Sequence, residues 1–186
     1  MVNNKRNREM CEDTSLYCIF LTILFFLIIS INSFSQNISK HYTSLRQSKG
    51  VLYYILPQNG FKNKDTKNEF IYDITYLTEK DSLILNFSYF DKLIREIDSI
   101  AIIGGNSKYI SLTNKIFIDI KRSKWHYRYS SNFLFNDIKT LFTQINSPTI
   151  ILYSKQGLIE LKIKSKTWRK QSAITNKILT LIVYNK

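Results

Sequence analysis

Cysteine is confined to the start of this 186-residue chain, at Cys11 and Cys18. The part from residue 36 onwards therefore has no disulfide, no thiolate nucleophile and no cysteine metal site. Proline and glycine are scarce as well, with 2 and 5 residues. Since the chain contains no Pro- or Ser-rich linker and no internal repeat, a single folded domain is expected after residue 35.

Catalytic signatures are also missing from the sequence. The only histidines are His41 and His126, and they lack the spacing of a metal-binding pair, so both are interpreted as solvated side chains. No nucleophile elbow, P-loop or dinucleotide fingerprint is present. Glu96 and Asp98 are the best-placed carboxylates for acid–base chemistry, but the sequence assigns them no reaction. We therefore predict a protein without cofactor or metal that is not an enzyme.

The N-terminal segment has the layout of an export signal. Residues 1–15 include three basic side chains, residues 16–31 (LYCIFLTILFFLIISI) carry no charge, and the small residues Ser33 and Ser35 follow. This pattern is typical of a signal peptide cleaved after Ser35. The alternative is an uncleaved anchor over residues 16–35, because a membrane-spanning helix needs about 20 apolar residues. Both interpretations place the domain outside the cytoplasm, either secreted or periplasmic, or anchored to a membrane.

The chain is predicted to divide into a leader (1–35), a loose polar lead-in (36–50) and one α+β domain (51–186). Within the domain, apolar and polar residues alternate with period two on either side of short polar links such as TEKDS. This alternation predicts about nine strands in a mainly antiparallel sheet, since the links are too short for crossover connections.

Two segments follow a helical period instead. The stripe from Leu134 to Ile145 predicts one internal helix, capped by Ser131 or Asn136, and a second helix is predicted from Thr167 to about Leu181. The stretch ILTLIVY at 178–184 is also compatible with a strand.

The stretch KWHYRY, residues 124–129, alternates aromatic and basic side chains. Its apolar positions are odd-numbered, whereas those of the preceding strand are even-numbered, so Arg122-Ser123 is predicted to form a hairpin turn. In the return strand the aromatics Trp125, Tyr127 and Tyr129 face inward and the cations face outward. Base stacking and phosphate neutralisation then fall on opposite faces, which disfavours nucleic acid as a partner.

Positive charge is the main functional signal. The whole chain has a net charge of +13, and residues 108–186 contain 15 basic residues against 3 acidic ones. Such a field attracts anionic partners, although a lysine-rich composition alone also explains it. We predict a small exported binding protein that recognises an acidic protein or an anionic envelope component through a basic face. The candidate residues are Arg122, Lys124, Arg128, Lys162, Lys164, Lys166, Arg169 and Lys170.

Two alternative functions are also compatible with the sequence. One is an envelope-associated hydrolase that uses carboxylates which the sequence does not identify. The other is a structural component of the envelope that is held there by an uncleaved leader. A contiguous basic face favours binding, whereas a cleft that converges on two or more carboxylates favours hydrolysis.

Overall fold

The computed structural model describes residues 38–66, 68–121 and 123–185. The predicted leader lies outside these residues. The elements below lie in one compact unit that begins at His41. They are β1 (Tyr42–Gln47), β2 (Gly50–Lys62), β3 (Glu69–Leu77), β4 (Ser82–Asp91), β5 (Ile97–Gly104), β6 (Ser107–Leu112), β7 (Asn114–Lys121), β8 (Lys124–Leu134), α1 (Phe135–Thr143), β9 (Thr149–Ser154), β10 (Gly157–Lys162) and α2 (Ser165–Tyr184).

The ten strands form one antiparallel sheet. Nine of them follow the order β6-β5-β9-β10-β2-β3-β4-β8-β7, and β1 pairs with β2 off this path. This confirms the predicted α+β class with a mainly antiparallel sheet and two helices. Within the described ranges, none of the helices combines the length and apolar character needed to cross a bilayer.

The two end strands of the sheet, β6 and β7, are consecutive pieces of one bent segment. β6 pairs with β5 and β7 pairs with β8, so the break at Thr113 carries the chain from one edge of the sheet to the other. Thr113 is held there by hydrogen bonds from its backbone N–H to the Asp98 carbonyl (3.1 Å) and from its hydroxyl to the Ile97 carbonyl. The sheet is therefore a nearly closed barrel.

Strand β1 lies inside the segment that was predicted to be a loose lead-in. Residues 42–47 pair with 50–55, and Gly50 adopts a φ of 106° at the end of the tight connection. Five of its six residues are exposed. An exposed strand has no buried face, so it lacks the alternation on which the sequence prediction depends.

Strand β2 continues well beyond Pro57, a residue type that is uncommon inside paired strands. Its pairing with β3 shifts register between Ile55 and Gln58 and again between Asn59 and Phe61. A bulge leaves residues out of the ladder, so Pro57 is tolerated there although it has no N–H to donate. The second shift contains Gly60, whose φ is 128°.

The hairpin predicted from KWHYRY is confirmed. Lys121 and Lys124 are opposite each other in the ladder, and Ser123 has a φ of 58° in the turn. Tyr127 and Tyr129 are buried, as expected for the inward face. The strand then continues to Leu134 and leads directly into α1, whose N-cap is Leu134, so the predicted caps Ser131 and Asn136 are wrong.

Both helices pack on the side of the sheet that carries the buried aromatics. Phe142 of α1 stacks on Trp168 of α2 at a centroid distance of 5.2 Å, and Trp168 contacts Phe61 of β2 edge-on. Helix α2 extends from Ser165 to Tyr184, so the ambiguous ILTLIVY stretch is helical. The start of α2 therefore lies beside the end of β2.

Candidate functional site

A groove lies where β10 meets the end of β2. The two strands share a single paired position, at which Lys162 is directly opposite Lys62. The groove has a volume of about 480 Å³, and its lining comprises Asn59, Gly60, Lys62, Asn63, Lys64, Lys162, Ile163, Lys164 and Thr167. Four of these nine residues are lysines, and we call this site the lysine groove.

The loop after β2 is held by the side chain of Asn63. Its Oδ1 accepts hydrogen bonds from the backbone N–H groups of Asp65 (3.0 Å) and Thr66 (2.8 Å). Its Nδ2 donates to the carbonyl of Glu160 in β10, also at 3.0 Å. Asn63 therefore fixes the loop against β10, and the flanking Lys62 and Lys64 are positioned with it.

Gly60 brings β2 close to the start of α2. A Cβ atom at this position would lie 3.1 Å from Cγ2 of Thr167 and 3.2 Å from Cδ1 of Ile163. A side chain would crowd both neighbours, and the φ of 128° is itself unfavourable for other residues. Glycine thus permits the close approach that forms the floor of the groove.

Positive charge at the groove is only partly neutralised. Lys62 pairs with Glu69 at 3.0 Å and Lys162 pairs with Glu160 at 3.1 Å, and all four side chains are more than half exposed. Such exposed pairs contribute about 0.2–1 kcal/mol each. Lys64 and Lys164 have no ion-pair partner within the described ranges. Two lysines opposite each other across a strand pair are also mutually repulsive.

The start of α2 adds to this positive potential. Lys164 is the N-cap and its side chain forms no capping hydrogen bond, and the first turn contains no acidic residue. The N-terminus of a helix carries a partial positive charge, so a lysine there is unfavourable where serine or aspartate would be favourable. The arrangement lowers the stability of the helix and increases the attraction of the groove for an anion.

The predicted basic residues are only partly brought together. Lys162 and Lys164 line the lysine groove, whereas Lys166, Arg169 and Lys170 are exposed on the first turns of α2 and are not part of its lining. Lys124 is half-buried at the β7–β8 hairpin. Arg122 lies outside the described residues.

Lys62 and Lys64 were not among the basic residues predicted from the sequence. They belong to the half of the chain in which basic and acidic residues nearly balance, so charge counting gave them no weight. The short K-N-K pattern after Asn59-Gly60 was the available signal, but the role of these residues depends on a strand pairing that joins positions 100 residues apart.

Arg128 has a role in the fold that differs from the one predicted. Its Nη2 donates to Oδ2 of Asp73, whose side chain is fully buried on the outer face of the sheet. Oδ1 of Asp73 accepts a hydrogen bond from Asn86 at 2.9 Å. Burial raises the pKa of the adjacent Tyr54, and the nearby Asp73 raises it further while Arg128 opposes the shift. The guanidinium of Arg128 therefore neutralises a buried carboxylate of the same chain.

A set of side chains with the composition of a nucleophilic triad lies next to the Arg128–Asp73 ion pair. It consists of Ser88, His126 and Asp119. Nε2 of His126 is 3.0 Å from Oγ of Ser88, and its Nδ1 is 3.0 Å from Oδ1 of Asp119, although this second contact is not aligned as a hydrogen bond. Ser88 is buried in a strand that pairs on both sides, so its backbone is engaged in the ladder and offers no oxyanion donor. We interpret the three residues as a structural polar network.

His126 is not solvated as predicted. Its side chain is 12% exposed, because its ring stacks on Phe90 at 4.5 Å and meets Phe117 edge-on at 5.1 Å. Two aromatic rings from neighbouring strands therefore cover the imidazole.

A second groove contains the carboxylates that the sequence analysis preferred. Glu96 and Asp98 line it together with Lys115 and Tyr129. Glu96 is 58% exposed and lies 3.5 Å from Nζ of Lys115, and Asp98 is also exposed. A carboxyl that donates a proton in catalysis requires a desolvated environment, which this open groove does not supply. In the described part of the chain, no three potential metal-ligating carboxylate, imidazole or thiol groups converge.

Comparison of the chain with protein-family models, with curated proteins and with solved structures found no match.

Proposed function

We propose that this chain is an exported binding protein whose lysine groove binds an anionic component of the cell envelope. The observation that carries the proposal is the convergence of Lys62, Lys64, Lys162 and Lys164 on one groove from two distant segments. Cations that repel one another destabilise the fold, and features that reduce stability are expected at functional sites.

The groove suits a ligand with closely spaced phosphate or carboxylate groups. The lysines are point charges on flexible stems, so they accommodate several anionic groups without requiring one fixed geometry. The helix N-terminus beside them favours an anion through its backbone N–H groups. A phosphorylated head group or an acidic polysaccharide has this chemistry, and export brings the protein into contact with both.

The test measures binding of the mature domain, residues 36–186, to immobilised inorganic polyphosphate and to heparin over a range of salt concentrations. Replacing Lys62, Lys64, Lys162 and Lys164 together by glutamine is expected to weaken retention by about tenfold or more, since four such contacts each contribute up to about 1 kcal/mol. The dependence of retention on salt is also expected to become shallower.

A matched control removes the same amount of charge elsewhere. Lys49, Lys80, Lys92 and Lys155 are exposed, and none of them lines the groove. Their joint replacement by glutamine is expected to have a much smaller effect. Equal losses in the two variants would show that net charge alone causes retention, and the groove would lose its proposed role.

The two alternative functions have weaker support. The groove that contains Glu96 and Asp98 is open, and Glu96 is ion-paired, which does not favour hydrolysis. A structural role of an anchored form depends on residues 16–35, which lie outside the described part of the chain. Mass measurement of the exported protein distinguishes a cleaved from an anchored form.

A further inference from the structure

Strand β7 is an end strand of the sheet and has one free edge. It pairs with β8 on one side, and the sheet order gives it no partner on the other side among the described residues. Seven of its eight residues are exposed. A bulge between Lys115 and Phe117 interrupts the ladder, so the regular part of the edge is the segment from Phe117 to Lys121.

The exposed side chains of β7 are unusually apolar for an end strand. Ile116 is 53% exposed, Phe117 41% and Ile120 68%. Unpaired strand edges attract further strands, and proteins normally protect them with charged residues or prolines. Here four of the five residues between Lys115 and Lys121 are apolar, Asp119 being the exception, and lysines are present only at the two ends.

The charges around this edge indicate the kind of partner. Lys115 and Lys121 flank the apolar residues, and Lys124 lies opposite Lys121 in the hairpin. Neither Lys121 nor Lys124 has an ion-pair partner within the described ranges. Asp119 is the one acidic side chain of β7.

We propose that β7 is a docking edge for an extended segment of an acidic partner protein, which adds to the sheet as a further strand. Main-chain hydrogen bonds to the free edge provide the pairing, and apolar side chains of the partner cover Phe117 and Ile120. Acidic residues at the end of that segment lie against Lys121 and Lys124. A second copy of this chain fits less well, since its net charge of +13 is repulsive.

This edge is independent of the lysine groove. β7 is the fourth strand from β2 in the sheet order, which corresponds to about 19 Å along the sheet. The two sites can therefore be tested separately in one protein.

The experiment uses two synthetic peptides of about nine residues with the same valine-rich core, so that apolar side chains face both Phe117 and Ile120, which lie on opposite faces of β7. One peptide has glutamates at one end and the other has lysines there. Binding to the mature domain is measured by fluorescence anisotropy, and hydrogen exchange of residues 117–121 is followed in parallel. We expect the acidic peptide to bind at least about tenfold more tightly than the basic peptide. We also expect it to protect the β7 amides from hydrogen exchange.

Replacing Phe117 and Ile120 by lysine is expected to weaken binding of the acidic peptide by about tenfold, although it adds positive charge. The control is the same replacement at Leu45 and Leu158, which are 62% and 67% exposed. In the variant whose four groove lysines are replaced by glutamine, the acidic peptide is still expected to protect the β7 amides from hydrogen exchange.

Three results would overturn the proposal. The first is equal weakening by the edge and control variants, and the second is binding without protection of the β7 amides. The third is a concentration-dependent dimer that the Phe117 and Ile120 replacements dissociate, because the edge would then serve a second copy of the chain.

Discussion

Arg128 on β8 forms an ion pair with Asp73 on β3 across the intervening strand β4, on the outer face of the sheet. The carboxylate of Asp73 is completely buried, and the side chain of Arg128 is 21% exposed. Ser88 of β4 lies between them, and Nη1 of Arg128 approaches its hydroxyl at 3.3 Å. A residue that the sequence marks as a surface cation therefore neutralises a buried charge.

Replacing Arg128 by methionine is expected to destabilise the protein by about 3–5 kcal/mol, because it leaves the buried carboxylate of Asp73 without a partner. Adding Asp73→Asn to the same protein is expected to restore a substantial part of this loss. The measurement is urea unfolding of the single and double variants. Replacing Lys62 by methionine, which breaks the exposed Lys62–Glu69 pair, is expected to cost less than about 1 kcal/mol. A similar cost for both single replacements would contradict this account.

Gly60→Ala and Gly157→Ala separate backbone strain from steric crowding. Both glycines have positive φ, 128° and 117°, and each replacement is expected to cost about 1–3 kcal/mol from strain. Only Gly60 would also contact neighbours, at 3.1 and 3.2 Å, whereas nothing lies within 4 Å at Gly157. Thermal unfolding should therefore show the larger loss for Gly60→Ala. If the two proteins unfold at the same temperature, Thr167 and Ile163 have moved aside without cost.

Lys164→Asp is expected to change stability and binding in opposite directions. An aspartate N-cap accepts a hydrogen bond from the first turn of α2 and interacts favourably with the helix dipole, so stability should rise by about 0.5–2 kcal/mol. Retention on polyphosphate should fall at the same time, since the groove loses a cation and gains an anion. Thermal unfolding and retention are measured on the same preparation, with Lys155→Asp as the control at an exposed loop position. Stabilisation without loss of retention would remove Lys164 from the proposed site.

Tyr89 is expected to make stability depend on alkaline pH. Its pKa is raised to about 12, mainly by burial, with a smaller contribution from Asp91, while the hydrogen bond from Asn68 opposes the shift. The unfolded phenol titrates near about 10. The contribution of the neutral phenol to the free energy of unfolding is therefore complete below pH about 10, and it is lost as the pH rises through about 12.

The measurement for Tyr89 is urea unfolding across this pH interval for the native protein and for Tyr89→Phe. Phenylalanine cannot ionise, so the variant should lose less stability on going to high pH, although it starts lower because two hydrogen bonds are missing. Parallel pH profiles for the two proteins would show that other groups cause the alkaline loss.

The predictable strands alternate between apolar residues on the interior face and mostly polar residues on the other face. Ile74 lies between Asp73 and Thr75 because the interior of the sheet selects apolar side chains at every second position, and the hairpin at Ser123 follows from the change of phase. Strand β1 has no buried face and gave no such signal. The continuation of β2 beyond Pro57 depends on bulges, which sequence alternation does not reveal.

The candidate site was less predictable than the fold, because it depends on long-range pairing. Lys162 and Lys164 were identified from local charge, but Lys62 and Lys64 join them only because β10 lies beside β2. Asp73 alternates with the aromatic residues of β3, so the sequence places it on the opposite face. Its burial depends on Arg128 and on neighbouring strands, and alternation distinguishes two faces without showing that both are covered.

The single Lys62–Lys162 pairing also has a consequence for how the barrel opens. One paired position is a weak closure compared with the six between β9 and β10, so local opening is expected to begin between β2 and β10. An anion that bridges lysines from both strands would hold β2 and β10 together. Occupancy of the groove would then slow hydrogen exchange along the C-terminal third of the chain, including amides that never touch the ligand.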